Sequence, residues 1–510
     1  MASADPGPSY SAAGPSMAFF ADPSDDEGDA TDLLRGTGGA PGYTAEEEAA
    51  VVRKFDRKLV VFVALLYMFS FLDRSNIGNA RIAGMESDLQ TDPPREDWYE
   101  WALSSFYVTY ILFEWMSLLW RVLPAHIYVS CLVLSWGVIS ALQALATSYP
   151  VLVALRALLG IGEAGFTGVP FYLSFFFKRG ELAYRTAIFI SAAPLASSFA
   201  SSLAYLIVRL GQHSPIAPWR LLFLIEGFPS VIAAAFAYNL IPDSPQAASY
   251  LTPREKQIAV HRLRPSDPPA RGAPREKEKG INFAQAVAAL RSPVAWLTAP
   301  MFFLTNMAYS SFPVFLPTII HSIGHSTLTS QALSFPPYLL AFATVLLTAR
   351  LSDHYATRAP FLIAHALLSS LGYFVLSLSE PLSLSPLVRY LALFPACAGF
   401  FSVVCLTVTW SINNQPNPSS QGSSFALLQL IGQCGPLLGT RLYPTSDEPF
   451  FAPGMRACAA AMLGVAALCF ALRTYMRRWN ERACSELRRP LMEGEAAEGK
   501  GPEEGFRYML

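Results

Sequence analysis

The sequence predicts an all-α membrane protein with twelve transmembrane helices in two six-helix halves, and three observations lead there. First, 52% of the 510 residues are hydrophobic and only 15% are charged, with a mean hydropathy of +0.33. Soluble domains carry about a quarter charged residues. Second, the chain holds twelve apolar stretches near the roughly 20 residues that a helix needs to cross a bilayer. Third, a long polar segment divides those stretches six and six. This composition excludes a disordered chain and an ordinary soluble enzyme. The formal net charge of −1 offers no general basic surface for nucleic acid.

Residues 1–50 hold ten acids and one base, Arg35, among Gly, Pro and Ser, and read as a disordered acidic tail. The first six spans are expected at 59–82, 101–121, 126–148, 150–176, 182–209 and 218–241, forming a bundle over 51–241. A basic linker over 242–292 carries Arg254, Lys256, Arg262, Arg264, Arg271, Arg275, Lys277, Lys279 and Arg291, with Pro265, Pro268, Pro269 and Pro274. The second six follow at 293–320, 331–351, 359–379, 385–410, 422–442 and 453–476, within 293–478, and a tail over 479–510 ends the chain. The segments are too long, and too little alternating, for barrel strands.

Lys and Arg set the orientation. They cluster before the first span (Arg53, Lys54, Arg57, Lys58), after the fourth (Lys178, Arg179, Arg185), in the linker and after the last (Arg473, Arg477, Arg478, Arg482). The first alternate loop is acidic, with Glu86, Asp88, Asp92, Glu96, Asp97 and Glu100 against Arg95. Both termini and the linker are therefore expected in the cytoplasm. The seven cysteines show no disulfide or metal-ligand spacing, and read as small packing residues.

Ionisable residues inside a bilayer cost several kcal/mol, so each one asks for a reason. The first span carries Asp73 and Arg74 in FLDRSNIGNA, continued by Ser75, Asn76 and Asn79. One reading is an internal ion pair that fixes packing. The other, favoured here, is a carboxylate that takes a proton beside a guanidinium that holds an anion. Neighbours on a helix point about 100° apart, so the two need not pair with each other. The fourth span carries Arg156 and Glu163, seven residues apart on one face in RALLGIGEAGFTGVP, among glycines that admit a close neighbour.

Tyr110 of the second span reads as packing or as a substrate contact, and Glu114 as structural or functional with equal weight. Glu226 is expected to be structural or gating, and His365 to be a core histidine. Ser197, Ser198, Ser201 and Ser202 around Pro194 suggest a closely packed, bending fifth span. The second half is poorer in buried charge, with Tyr309, Ser311, Ser411, Asn413, Asn414 and Gln415 as its polar candidates.

FLDRSNIGNARIAGMESDL, RALLGIGEAGF, WRLLFLIEGFPSV, LIPDSPQAASYLTPREK and QALSFPPYLLAFATVLLTARLSDH together resemble the anion:cation symporters of the major facilitator superfamily. The resemblance spans about residues 50–480 and is nearest the fungal allantoate-permease branch. It implies the major facilitator fold and a proton-coupled secondary transporter of a small organic carboxylate. It carries substrate binding to Arg74, Arg156, Tyr110 and Asn76, and proton coupling to Asp73 and Glu163. Gating or structural roles fall to Glu114, Glu226, Asp353 and Arg350. The partners it implies are the organic anion, protons and the lipid bilayer, for a monomeric fungal permease of the plasma membrane with no cofactor, metal or nucleic acid.

Two segments depart from the family pattern. WMSLLWRVLPAHIY keeps only Arg121 and His126 where a basic latch is usual, and SINNQPNPSSQGSS lacks the Lys-Arg that usually follows paired asparagines. ARLSDHYATR keeps Arg350, Asp353 and Arg358. The departures leave open an exporter or proton antiporter of a carboxylate metabolite. A transporter-like nutrient sensor is a further alternative, weakened by the short tails.

Overall fold

The structure, a computed structural model, describes residues 42–91, 98–211, 214–263, 290–322, 324, 327–416, 418–439, 441–443, 447, 449–493 and 508–510. Helix α1, Ala45–Phe55, starts at a reciprocal cap: the Thr44 hydroxyl accepts from the Glu47 N–H and the Glu47 carboxylate accepts from the Thr44 N–H. It begins inside the segment read as a disordered tail, because this cap and the apolar stripe Val51, Val52 and Phe55 give residues 45–55 a face to bury. The rest of that tail, 1–41, lies outside the described residues.

The first six spans are α2 (Val61–Ala80), α3 (Trp98–Phe113), α4 (Ala125–Leu142), α5 (Tyr149–Ala164), α6 (Leu182–Gly211) and α7 (Pro218–Leu240). A π-turn over Asp56–Val60 joins α1 to α2. Past the end of α2, Gly84 at φ +103° breaks the helical path, a conformation open to glycine at little cost. Helix α5 runs through a 3₁₀ turn at Gly165–Gly168 into Val169–Leu173, so the fourth span covers the expected length. Pro194 in α6 and Pro229 in α7 sit inside helices, which neighbouring helices make tolerable in a membrane.

Helix α8, Pro253–His261, lies within the expected linker and repeats the capping box with Thr252 and Glu255. Linker residues 264–289 lie outside the described set. The second six are α9 (Pro293–Ser322), α10 (Thr327–His354), α11 (Ala359–Ser377), α12 (Pro386–Asn413), α13 (Pro418–Gly432, continued by Gly435–Gly439) and α14 (Ala452–Glu493). Helix α14 runs well past the expected edge at 476, into the segment read as a tail. Among the described residues, eight helices are long and apolar enough to cross a membrane by length and composition alone. The protein is a multi-pass membrane protein with an all-helical fold.

Helix α4 packs on α7, α3 on α5 and α2 on α6 and α7; in the second half α11 packs on α12 and α14, and α9 on α13 and α14. The halves meet where α6 lies against α10 and α12, and where α13 meets the 3₁₀ turn Glu114–Arg121 that follows α3. Gly160 shows why the α3–α5 contact is so close. A Cβ there would lie 2.4 Å from the Phe106 carbonyl oxygen and the Thr109 hydroxyl.

Helices α1 and α8 are clasped at one end of the bundle. Lys54 pairs with Glu255 at 2.6 Å, Arg254 with Glu47 at 2.9 Å and Lys178 with Glu48 at 2.5 Å. Arg262, fully buried, reaches both Glu48 (3.1 Å) and Glu181 (2.6 Å). Partial burial would raise the Glu48 carboxyl, but hydrogen bonds from Lys178 and Arg262 outweigh it and hold the group below the usual value. Glu255 behaves likewise: burial raises it, and Lys54 with the Thr252 cap brings it lower. This is the basic end of the protein.

Candidate functional site

The buried ionisable residues around α2 sort into two hydrogen-bonded clusters that lie within electrostatic range of each other. In the first, Arg74 of α2 meets Glu163 of α5, with Nη2 2.7 Å and Nε 3.2 Å from the same oxygen, Oε2. That oxygen also accepts from the Ser70 hydroxyl at 2.9 Å, while Oε1 has no partner. Arg74 donates further to the Tyr110 hydroxyl at 3.3 Å and lies 5.0 Å over the Phe106 ring and 4.9 Å over the Tyr110 ring. Its side chain keeps 18% exposure where Glu163 has none, so the pair opens on the Arg74 side.

Arg156 lies beside this pair, within electrostatic range of both Glu163 and Asp73. It is 1% exposed, donates from Nη2 to the Arg74 carbonyl at 3.2 Å and covers the Phe106 ring at 5.4 Å. Among the described residues its Nε and Nη1 have no hydrogen-bond partner. A buried guanidinium with two idle donors is costly unless an anion meets them. Asn76, about one helical turn along α2 from Asp73, is buried, and among the described residues both its amide atoms are unpartnered.

Asp73 points elsewhere. It is fully buried and accepts from Ser140 of α4 at 2.7 Å and Ser230 of α7 at 2.9 Å. The adjacent residues of the LDR motif therefore face different clusters, as the 100° step between helix neighbours allows. Glu226 of α7 is buried within electrostatic range of Asp73, and its Oε1 is unpartnered. Ser70, Ser140 and Ser230 escaped the sequence reading. Nothing in the local pattern separates a serine that bonds a buried carboxylate from one that bonds its own helix.

The second half contributes aromatic rings. Tyr309 of α9 lies within electrostatic range of Arg74, Tyr67, Tyr107 and Tyr110. It packs at 5.6 Å on Phe400 and 5.2 Å on Phe401 of α12, and Tyr338 of α10 meets Phe401 at 6.4 Å. On the facing side Tyr67 stacks on Phe189 at 4.4 Å.

The remaining candidates fall at the contacts between helices. Glu114 is buried where α3 meets α13; it accepts from Thr167 at 2.5 Å and has Gln429 beside it. Asp353 accepts from Arg358 at 2.5 Å and from the Tyr184 N–H of α6 at 2.7 Å, and so joins the halves at the basic end. Arg350 is exposed; the partner of Asp353 is Arg358. His365 meets the Thr348 hydroxyl at 2.8 Å in the second-half core. The side chains of Ser201, Ser202 and Ser311 lie outside the described set.

Comparison with known proteins places this arrangement. The profile of the Major Facilitator Superfamily matches residues 63–440. The chain is 32% identical over 455 residues to the MFS transporter prlL of Fungal sp. (strain NRRL 50135), covering 87% of this chain and 89% of that one. It is 26% identical to the high-affinity nicotinic acid transporter of Saccharomyces cerevisiae, over 92% of this chain and 86% of that one. Among solved structures, it superposes on the proton:xylose symporter XylE bound to 6-bromo-6-deoxy-D-glucose with a TM-score of 0.65. The identity there is 15%, covering 82% of this chain and 96% of that one.

Proposed function

Because this chain belongs to the Major Facilitator Superfamily, and is a membrane transporter rather than an enzyme, we propose that it carries a small organic carboxylate together with protons, as a member of the anion:cation symporter family near the allantoate-permease branch. The observation that supports this most is Arg156, a buried guanidinium with Nε and Nη1 unpartnered beside an already neutralised Arg74–Glu163 pair. A carboxylate supplies a negative charge and acceptor oxygens for these donors, which lie on different edges of the guanidinium.

The coupling follows from the ion pair. Protonation of Glu163 removes the charge that holds Arg74, and Arg74 turns its donors to the incoming carboxylate beside Arg156. Tyr110 and Asn76 supply the neutral contacts, and the Tyr309, Phe400 and Phe401 rings wall the organic part of the substrate. When the halves rock and the proton leaves, Glu163 reclaims Arg74 and the carboxylate loses half its site. One proton with a monocarboxylate moves no net charge, so the pH gradient drives the cycle at about 1.4 kcal/mol per pH unit. Asp73 shares in this as the anchor that fixes α2 to α4 and α7 and so sets the direction of Arg74. Glu114, Glu226 and Asp353 hold the helices that move.

The basic end, with α1 and α8, faces the cytoplasm in this reading, by the excess of Lys and Arg there. The relative named for nicotinic acid supports a carboxylate cargo. The test is radiolabelled uptake of a panel of small carboxylates, nicotinate included, by a transport-deficient fungal strain at acidic and neutral outside pH. Acid-stimulated uptake that collapses in Arg156→Ala establishes the proposal. A correctly localised protein that takes up none of them, and lowers intracellular acid instead, replaces it with export.

A further inference from the structure

Residues Tyr508, Met509 and Leu510 are seated in a built notch at the basic end. The Tyr508 N–H donates to Asn480 Oδ1 at 3.0 Å, and Asn480 Nδ2 donates back to the Tyr508 carbonyl at 2.9 Å. Asn414 repeats the two-point contact on the next residue: its Oδ1 accepts from the Met509 N–H at 2.7 Å and its Nδ2 donates to the Met509 carbonyl at 3.1 Å. Trp410 Nε1 adds a second donor to that carbonyl at 2.7 Å, and the Arg358 backbone N–H donates to the Leu510 carbonyl at 2.7 Å. Side chains fill the remainder. Tyr508 meets the Trp479 ring at 4.8 Å edge-on, Tyr508 and Leu510 pack on the apolar core, and Met509 Sδ lies 3.6 Å from Asn413 Nδ2. Two asparagine side chains here read an extended backbone much as a neighbouring strand would.

The residues that hold this segment also carry the clasp between the halves. Asn413 Nδ2 donates to the Arg179 carbonyl at 3.0 Å, and the Arg179 guanidinium donates to the Asn413 carbonyl. Arg358 Nη2 reaches the same Arg179 carbonyl at 3.4 Å and pairs with Asp353, which in turn caps the Tyr184 N–H. Arg179 and Tyr184 belong to the first half; Asn413, Asn414, Arg358 and Asp353 belong to the second. Trp410, Asn413, Asn414 and Arg358 are each 1% exposed or less. With the notch empty, the buried Asn414 amide would lose both of its partners on Met509.

Rocking of one half against the other must break the contacts of Arg179 and Tyr184. We infer that the notch of Asn480, Asn414, Trp410 and Arg358 is a peptide-binding site whose occupant is this chain's own Tyr508–Leu510 segment, and that the docked segment latches the basic end shut. The hydrogen bonds named above tie the segment to the second half. The segment acts by tying α14, through Asn480, to the end of α12 and the start of α11, which holds Asn413 and Arg358 in the geometry that grips Arg179. A ligand shifts a two-state equilibrium only by its different affinity for the two states. The shared residues supply that difference, since the site is whole only while α11, α12 and α14 keep these positions. The latch is independent of which substrate is carried.

The test is hydrogen exchange on the full chain in detergent, compared with a chain lacking residues 508–510 and with Asn480→Ala. Asn480 lies past the expected last span, so its truncation spares the bundle. Exchange over 179–187 and 411–416 is expected to rise roughly fivefold in both variants, the factor for losing one net hydrogen bond. The combined variant should exchange no faster than the deletion alone. Adding the free tripeptide Tyr-Met-Leu to the shortened chain should restore protection. Unchanged exchange over 179–187 in both variants, with or without an effect at 411–416, would overturn the latch and leave the segment a cap on α12.

Discussion

Arg74 and Glu163 are 89 residues apart in the chain, yet Nη2 and Oε2 sit at 2.7 Å across the α2–α5 contact, on a carboxylate that Ser70 also holds. One oxygen of Glu163 therefore takes three donors while the other takes none. The pair closes a charge inside the bundle and leaves Arg156 with two donors that no described residue meets.

Glu163→Gln keeps the shape of the site and removes the titrating group. Uptake along a gradient should persist, while accumulation against one across a pH difference should be lost. The check is the ratio of inside to outside substrate at steady state, at outside pH 5 and pH 7. A variant that still concentrates substrate at pH 5 returns the coupling role to another carboxylate.

Arg156→Ala removes the two idle donors. Substrate affinity should fall roughly 10- to 100-fold, the range for a charge-assisted hydrogen bond. Arg156→Lys should recover little of it, because an ammonium cannot present a planar fork. Binding to purified protein, measured by calorimetry at fixed pH, separates this loss from a loss of coupling.

Ser140→Ala with Ser230→Ala strips the donors from Asp73 and leaves a buried carboxylate unsatisfied. The expected cost is about 1–3 kcal/mol of stability. Thermal unfolding in detergent should show a lower midpoint, and Asp73→Asn placed on the double variant should recover part of it. Affinity for the substrate is expected to change far less than in Arg156→Ala.

Gly160→Val should separate α3 from α5, since even its Cβ would meet the Phe106 carbonyl oxygen at 2.4 Å. Overpacking of this kind costs about 1–3 kcal/mol. The readout is the yield of monodisperse protein by size-exclusion chromatography, which should drop sharply. Gly180→Val, where a Cβ meets nothing within 4 Å, is the control expected to behave as the parent.

The clasp of α1 and α8 gives a pH dependence with a defined sign. Glu48 and Glu255 are held below their usual values in the folded state. Their contribution is therefore complete above the unfolded carboxyl value near about 4.3 and disappears as pH falls through the lower folded values. Protection of 45–55 and 253–261 from proteolysis should be flat from pH 7 to 5 and fall on acidification below that. In Glu48→Gln with Glu255→Gln the acid-dependent part should shrink to what Glu47, held low by its hydrogen bond from Arg254, still contributes.

The placement of the helices was legible because each crosses an apolar medium and must satisfy its own backbone along its length. Hydropathy therefore marks α4, α7, α11 and α12 directly; α3, α5 and α13 approach their expected ends only through the short 3₁₀ or helical pieces that continue them, and α14 has a polar continuation that hydropathy cannot see. The capping box at Thr44 is a local sequence signal too, with its Ser/Thr-x-x-Glu spacing set inside an acidic composition that masks it.

By itself the sequence determined which side chains could not be idle. Asp73, Arg74, Arg156 and Glu163 are ionisable residues in apolar helices, and the cost of burying charge makes each of them significant wherever the helices pack. Only the tertiary structure decided the pairing. It sent Asp73 to Ser140 and Ser230, closed Arg74 on Glu163, gave Asp353 to Arg358 rather than to Arg350, and placed Met509 against Asn414. The reason is geometric. A helix turns its neighbours 100° apart, so partners come from other helices, and which helix stands opposite is set by packing over the whole bundle.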